Sequence, residues 1–156
     1  MGRGTIVSIY LPKLEETGHA ELTSRNAAAP VNGKGETILV VEDDPDVMRV
    51  TSEMAKFLGY KVRMASDAQD ALAALAVGGP IDLVFSDIVM PGGMSSFDLA
   101  RAIRKRDPSQ KLLLTSGFAG NKSSAGKEDD IHGLLKLRKP YSHIELGQAI
   151  RAALTN

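Results

Sequence analysis

Short apolar runs alternate with stretches of helical periodicity from residue 37 onwards, and this alternation is the strongest constraint on the fold. The runs are nearly continuous, as is typical of parallel strands that are covered on both faces. The five predicted strands are residues 37–41, 60–64, 81–87, 111–115 and 134–138. A strand–helix pattern repeated five times predicts an α/β protein with a parallel sheet, helices on both faces and right-handed crossovers.

The helix after the first strand has clear boundaries. Asp44 suits the N-cap, Pro45 suits the first helical position, and Gly59 ends the pattern. Apolar residues at helical spacing between these boundaries are predicted to face the core. They are Val47, Val50, Met54, Phe57 and Leu58.

Capping-box patterns predict where two later helices begin. The pairs are Ser66 with Gln69 and Ser142 with Glu145. Between residues 116 and 133, four glycines leave room for one short helix only, around residues 127–132. We expect that helix to be the least stable element.

The chain upstream of residue 36 has a different composition. Residues 5–11 are rich in β-branched residues and end at Pro12, so they predict a short extra strand. Residues 16–35 contain glycine, alanine and proline without periodicity, and are predicted to form a flexible linker. We expect the extra strand to be mobile relative to residues 37–154.

Composition narrows the classes of function. The 156 residues suffice for one domain of roughly 120 residues and an appendage. Nineteen basic residues balance nineteen acidic ones, which argues against electrostatic binding of nucleic acid. The absence of cysteine excludes disulfides and thiolate chemistry, and no apolar run approaches the length of a membrane span. A cytoplasmic protein without direct membrane contact is therefore expected.

Polar residues stand at the ends of four predicted strands. They are Glu42-Asp43-Asp44 after the first, Asp87 at the end of the third, Thr115-Ser116 at the end of the fourth and Lys139-Pro140 after the fifth. The carboxyl ends of neighbouring parallel strands meet at one edge of a sheet, where α/β proteins bind ligands. Taken singly, each residue could be a cap, a turn residue or a solvated cation, but their joint placement favours a functional site.

The chemistry of these residues points to phosphoryl transfer. Clustered carboxylates remain ionised together only beside a cation, and oxygen ligands without histidine or cysteine suit Mg²⁺. With Mg²⁺ and Lys139 supplying positive charge, Asp87 could act as a nucleophile that takes a phosphoryl group as an acyl phosphate. The Ser116 hydroxyl could donate a hydrogen bond to a phosphoryl oxygen.

Four motifs resemble the receiver domain of bacterial two-component response regulators. Residues 38–44 resemble the first strand and acidic pair of that family, and residues 86–91 resemble its phosphoacceptor motif. Residues 112–117 match its hydroxyl segment, and residues 138–141 match its Lys-Pro motif. The resemblance extends from residue 36 to residue 154.

The resemblance implies a flavodoxin-like (βα)5 doubly wound fold with strand order 2-1-3-4-5. It implies Asp87 as phosphoacceptor, Lys139 as phosphate partner, Ser116 as switch hydroxyl and a cis bond before Pro140. The implied ligands of Mg²⁺ are Glu42, Asp43, Asp87 and the backbone carbonyl of Val89.

The resemblance also implies partners. The phosphoryl donor would be a phosphohistidine on a histidine kinase or a histidine phosphotransfer protein, and the chain could form a homodimer. On this interpretation the chain is not an enzyme in the ordinary sense, because it catalyses only its own phosphotransfer and dephosphorylation.

Three features depart from the family pattern. Lys136 stands where the family's switch aromatic is usual, and Phe118 is a candidate substitute. The loop after Pro91 carries an extra residue, and Ser96 stands where glycine is common. Residues 92–94 are nonetheless similar to receivers attached to hybrid histidine kinases.

The N-terminus also fits such an attachment. Residues 2–12 resemble the closing strand of a histidine-kinase ATP-binding domain. The predicted organisation is a kinase remnant over residues 1–15, a linker over 16–35 and a receiver domain over 36–156, with no output domain after it. The chain would then be the C-terminal end of a hybrid kinase, or the product of a gene start placed too far downstream.

Three other functions fit parts of the same pattern. A Mg²⁺-dependent hydrolase could use the same aspartyl phosphate, although Val89 stands where such enzymes have a second aspartate. A nucleotide or flavin binder would have its phosphate repelled by the acidic turn after the first strand. A phosphorylation-independent interaction module would keep only the fold, and Lys136 supports that alternative.

Overall fold

Strands and helices alternate along the parts of the chain that the computed structural model describes, which are residues 32–90, 94–117 and 134–156. The elements of these parts are β1 (Thr37–Val41), α1 (Pro45–Phe57), β2 (Lys61–Ala65), α2 (Ala68–Ala76), β3 (Leu83–Asp87), α3 (Ser96–Arg106), β4 (Lys111–Ser116), β5 (Leu135–Arg138) and α4 (His143–Thr155). The predicted extra strand at 5–11, the short helix at 127–132 and Phe118 lie outside the described residues.

The five strands form one sheet in the order β2-β1-β3-β4-β5, and every pair of neighbours is parallel. This confirms the predicted fold class and strand order. The register pairs Val41 with Ser86, Asp87 with Thr115, and Ser116 with Arg138. The carboxyl ends of β1, β3, β4 and β5 therefore lie along one edge of the sheet.

The core consists of two apolar layers, one on each face of the sheet. Alternate residues of a strand point to opposite faces. Leu39 and Val84 thus pack towards α2 and α3, whereas Ile38 and Phe85 pack towards α1 and α4. Because helices cover both faces, the central strands are apolar at consecutive positions.

The predicted boundaries of the first helix and the predicted start of the last helix are confirmed. The Asp44 carboxylate accepts hydrogen bonds from the backbone N–H groups of Asp46 and Val47 at 2.9 and 3.1 Å, and Pro45 opens α1. Gly59 follows the helix with a φ of 86°, a conformation that favours glycine. Ser142 and Glu145 form the reciprocal capping box at α4.

The predicted start of the second helix is wrong by one residue. Asp67, not Ser66, is the N-cap, and its carboxylate accepts a hydrogen bond from the backbone N–H of Asp70 at 2.8 Å. Ser66 instead donates its hydroxyl to the Asp70 carboxylate. A carboxylate is an acceptor only and carries a charge that the helix N-terminus stabilises, which explains why it takes the capping position.

The predicted inward face of α1 is also partly wrong. Phe57 is 78% exposed and Val50 is 50% exposed, whereas Thr51, Ser52 and Ala55 are buried. The helix lies on the sheet through its small residues, which allow a close approach. Two of the five residues predicted to face the core are therefore exposed to solvent, while Leu58 is buried as predicted.

The segment just before β1 is bound to the domain. The Gly33 N–H donates to the Leu58 carbonyl at 2.6 Å, and the Lys61 N–H donates to the Glu36 carbonyl at 2.9 Å. The Arg151 guanidinium lies 2.7 Å from the Glu36 carboxylate. The predicted boundary between linker and domain at residues 35 and 36 stays a prediction.

Among the described helices, none combines the length and apolar character needed to cross a membrane.

Replacing the last residue of α1 and the C-cap residue that follows it tests this packing. Leu58→Ala should lower the free energy of unfolding by about 2–5 kcal/mol, because it leaves a cavity in the core. Phe57→Ala should change it by no more than about 0.5 kcal/mol, because that ring is mostly exposed. Urea denaturation of both variants measures the difference, and a large loss for Phe57→Ala would contradict the described face of α1.

Candidate functional site

The parallel register brings the polar strand ends together at the carboxyl edge of the sheet. Glu42 follows β1 directly, Asp87 is the last residue of β3, Ser116 is the last residue of β4, and Lys139 follows β5. These four strand ends come from four separate parts of the chain. Their convergence at one edge confirms the geometric prediction made from the strand pattern.

Lys139 forms two ion pairs at the centre of this edge. Its Nζ lies 2.7 Å from Asp87 Oδ2 and 2.8 Å from Glu42 Oε2. Both acids are buried: Asp87 is 8% exposed and Glu42 is 5% exposed. One ammonium therefore neutralises much of the negative charge of two carboxylates that lie out of water.

The backbone around Lys139 fixes its position. The Lys139 N–H donates to the Ser116 carbonyl at 2.8 Å, which carries the β4–β5 ladder one residue further, and the bond to Pro140 is cis, as the resemblance implies. Tyr141 then packs edge-on against Phe85 with 6.1 Å between ring centroids. The lysine is thus held between the sheet and the start of α4.

A second contact of Tyr141 was not anticipated from the sequence. Its hydroxyl lies 3.1 Å from Thr51 Oγ1 on α1, and burial raises the pKa of this phenol. Thr51 is absent from the predicted inward face of α1, because that prediction rests on apolar residues only. A tyrosine next to the Lys-Pro pair is the only sequence signal for the contact.

Burial and ion pairing have opposite effects on the pKa values of Glu42 and Lys139. Burial raises the pKa of Glu42, and the nearby Asp87 charge adds to this, while Lys139 opposes both. For Lys139, burial alone would lower the pKa, but hydrogen bonds and charge from Asp87 and Glu42 outweigh it and leave the pKa raised. The lysine is therefore firmly protonated at neutral pH.

The Asp87 carboxylate is also held from its own loop. Its Oδ1 accepts a hydrogen bond from the Val89 N–H at 3.0 Å, and the Ile88 N–H donates to the Thr115 carbonyl at 2.8 Å. The main-chain carbonyl of Asp87 accepts hydrogen bonds from two hydroxyls, those of Ser86 and Ser96. Sequence reasoning noted Ser96 as a departure from the family pattern but did not anticipate this bond.

The two hydroxyls at the end of β4 differ in setting. Thr115 is buried, and its Oγ1 has no hydrogen-bond partner among the residues described. Ser116 is half-buried at the rim of the edge. Lys136, at the position of the usual switch aromatic, lies on β5 and is exposed.

The acids do not all converge. Glu42 is buried against Lys139, whereas Asp43, in the bend that follows β1, is exposed. Across residues 32–90, 94–117 and 134–156 there is no cluster of three or more acidic or histidine side chains arranged to hold a metal. Mg²⁺ commonly takes only one or two protein carboxylates and keeps several waters, so the oxygen donors at this edge still fit that ion.

Comparison with known proteins extends the resemblance from the four motifs to most of the chain. A family model described as the response regulator receiver domain matches residues 38–151. The sensor kinase CckA of Brucella abortus is 31% identical over 163 residues, an alignment that covers 99% of this chain and 17% of CckA. The chain thus spans less than a fifth of that relative's length.

Solved structures show the same fold. A response regulator receiver domain protein from Clostridium thermocellum superposes with a TM-score of 0.67 at 25% identity, covering 77% of this chain and 94% of that one. The response regulator TrrA from Thermotoga maritima, solved in complex with Mg²⁺–BeF, superposes with a TM-score of 0.65 at 27% identity, covering 76% of this chain and 98% of that one.

Removing the shared cation tests the electrostatics of the site. Lys139→Met should raise the pKa of Glu42 further, because the pairing that opposes burial is lost. The variant should lose about 3–5 kcal/mol of stability near neutral pH, where two buried carboxylates are left unpaired. A group with a raised folded-state pKa stabilises the fold only at lower pH, so the loss should shrink towards about pH 5.

Denaturation at the two pH values and ¹³C NMR titration of the Glu42 carboxyl measure these effects. Lys105→Met, which removes an exposed cation from α3, is the control and should leave both quantities unchanged. A Glu42 pKa that fell in Lys139→Met would show that the described pairing does not govern this carboxyl.

Proposed function

The chain belongs to the response regulator receiver domain family of two-component signal transduction, and on this premise we propose that Asp87 is its phosphoacceptor. One observation carries the proposal: a buried carboxylate ends β3, with the Lys139 ammonium 2.7 Å from Oδ2. A nucleophilic carboxylate needs a nearby cation to accept a group that is itself negative, and Lys139 supplies it.

In the proposed step, a carboxylate oxygen of Asp87 attacks the phosphorus of a phosphohistidine. A P–O bond forms, the P–N bond breaks, and the electron pair of that bond leaves with the imidazole nitrogen, which takes up a proton. The product is an acyl phosphate on Asp87. Lys139 then pairs with a phosphoryl oxygen, for which its compact ammonium is suited.

We assign the Mg²⁺ ligands to Glu42, Asp43, Asp87 and the Val89 carbonyl. Bound there, Mg²⁺ would neutralise charge on the transferred phosphoryl oxygens. The support is the oxygen-only donor set at this edge and the Mg²⁺–BeF complex of the similar protein TrrA. The exposed Asp43 is free of the core, so its carboxylate can turn towards an ion.

The donor in this proposal is a histidine kinase or a histidine phosphotransfer protein, and the proposed location is the cytoplasm. The match to the sensor kinase CckA covers almost all of this chain, including the residues upstream of β1. That coverage supports the interpretation that residues 1–15 derive from a kinase domain and that the receiver belongs to a hybrid kinase. The chain would catalyse only its own phosphotransfer and dephosphorylation.

Phosphorylation with a small donor tests the role of Asp87. Incubation of the protein with acetyl phosphate and Mg²⁺ should add the mass of one phosphoryl group, measured by intact mass spectrometry. Asp87→Asn should gain none, because the amide is a poor nucleophile. Asp107→Asn, at the exposed C-terminal end of α3, should be labelled like the parent.

Equal labelling of Asp87→Asn and the parent would exclude Asp87 as the acceptor. A parent that stayed unlabelled would favour an interaction module that does not use phosphorylation. Multiple turnover of phosphate monoesters would instead favour the hydrolase alternative.

Neighbouring hydroxyls on β4 allow a matched test of the switch residue. Ser116→Ala should weaken beryllofluoride binding about tenfold, because a hydrogen bond to a charged group contributes about 1.5–3 kcal/mol. Thr115→Val should bind like the parent, since Thr115 Oγ1 has no described hydrogen-bond partner to lose. Binding is measured by NMR titration in the presence of Mg²⁺. The reverse order of effects would assign the role to Thr115.

A further inference from the structure

Ser96 is buried at the first position of α3, where it is 1% exposed. Its hydroxyl contacts two consecutive main-chain carbonyls, donating to that of Asp87 and lying 3.1 Å from that of Ile88. These two carbonyls belong to the peptide groups that follow the proposed phosphoacceptor. A serine at a position where the family commonly has glycine therefore makes contacts that glycine could not make.

The Ile88–Val89 peptide group is held from both of its sides. Its carbonyl lies 3.1 Å from Ser96 Oγ, and its N–H donates to Asp87 Oδ1 at 3.0 Å. A peptide unit is planar, so a rotation of its carbonyl also rotates its N–H. The Ser96 hydroxyl thereby constrains the donor that constrains the Asp87 carboxylate.

The preceding peptide group depends less on Ser96. The Asp87 carbonyl also accepts a hydrogen bond from Ser86 Oγ at 3.0 Å, and the Ile88 N–H donates to the Thr115 carbonyl at 2.8 Å. These two bonds would remain if the Ser96 hydroxyl were removed. The specific effect of Ser96 thus falls on the second peptide group, the one that carries the Val89 N–H.

We propose that Ser96 is a positioning residue for the phosphoacceptor. By holding the Ile88–Val89 peptide group, it keeps the Val89 N–H in place and the Asp87 carboxylate oriented beside Lys139. This role rests on the proposed function of Asp87. It predicts that the hydroxyl acts on ion and phosphoryl-analogue binding as well as on the stability of α3.

Ser95 provides the matched control. It is the N-cap of α3, accepting a hydrogen bond from the Asp98 N–H at 3.2 Å and donating to the Asp98 carboxylate at 2.6 Å. The hydrogen bonds of its hydroxyl link it to Asp98, which lies on α3 itself. Ser95→Ala therefore weakens the same helix end without removing a contact to the peptide groups after Asp87.

The first measurement is the exchange rate of the Val89 amide proton in the protein without added ions. Ser96→Ala should raise this rate about fivefold, because the peptide group loses one of the two contacts that hold it. Ser95→Ala should leave it unchanged. Ser96→Cys, which keeps the volume but is a weak donor, should resemble Ser96→Ala and serves if the alanine variant does not fold.

The second measurement is the Mg²⁺ concentration that gives half-maximal binding of beryllofluoride. Ser96→Ala should raise this concentration about tenfold, as is usual when a group that orients a metal ligand is removed. Ser95→Ala should leave it unchanged even though the variant is less stable.

The outcomes separate the two proposals. If Val89 exchange is the same in Ser96→Ala, Ser96→Cys and Ser95→Ala, Ser96 is not a positioning residue, whatever Asp87 does. If the parent does not respond to beryllofluoride and Mg²⁺, the proposed function of Asp87 fails, while the exchange data still decide whether Ser96 holds the peptide group.

Discussion

The ammonium of Lys139 and the two buried carboxylates beside it form the interaction on which the site depends. Asp87 and Glu42 stand at the carboxyl ends of neighbouring strands, each within 3 Å of the same nitrogen. Two buried like charges would otherwise repel each other. The lysine ammonium offsets that repulsion at the carboxyl edge of the sheet.

This arrangement is not needed for stability in the way that the apolar layers are. Buried ion pairs often contribute little net free energy, because desolvation offsets their attraction, although removing one partner is strongly destabilising. The sheet is held instead by the two apolar layers on its faces. The polar edge is therefore best explained by function.

Several hydrogen bonds connect the loop after Asp87 with its surroundings. The Val89 N–H donates to the Asp87 carboxylate, and the Ile88 N–H donates to the Thr115 carbonyl on β4. The Ser96 hydroxyl contacts the main-chain carbonyls of Asp87 and Ile88. On the other side, Tyr141 joins the connection after β5 to Thr51 on α1. A change in the charge at Asp87 would act on groups that already contact three different elements, and this is a physical basis for signalling from the site.

The kinds of element, the parallel sheet, the caps at Asp44 and Ser142, and the strand-end positions of Asp87 and Lys139 could all be predicted from the amino-acid sequence. Those features depend on local periodicity and on chemistry within a few residues. Three other features emerged only from the folded chain: α1 packs through Thr51, Ser52 and Ala55 rather than Phe57, Glu42 rather than Asp43 bonds Lys139, and the Ser96 hydroxyl contacts the backbone after Asp87. These outcomes depend on how closely elements approach and which way side chains turn, and both are set by neighbours that are distant in the chain.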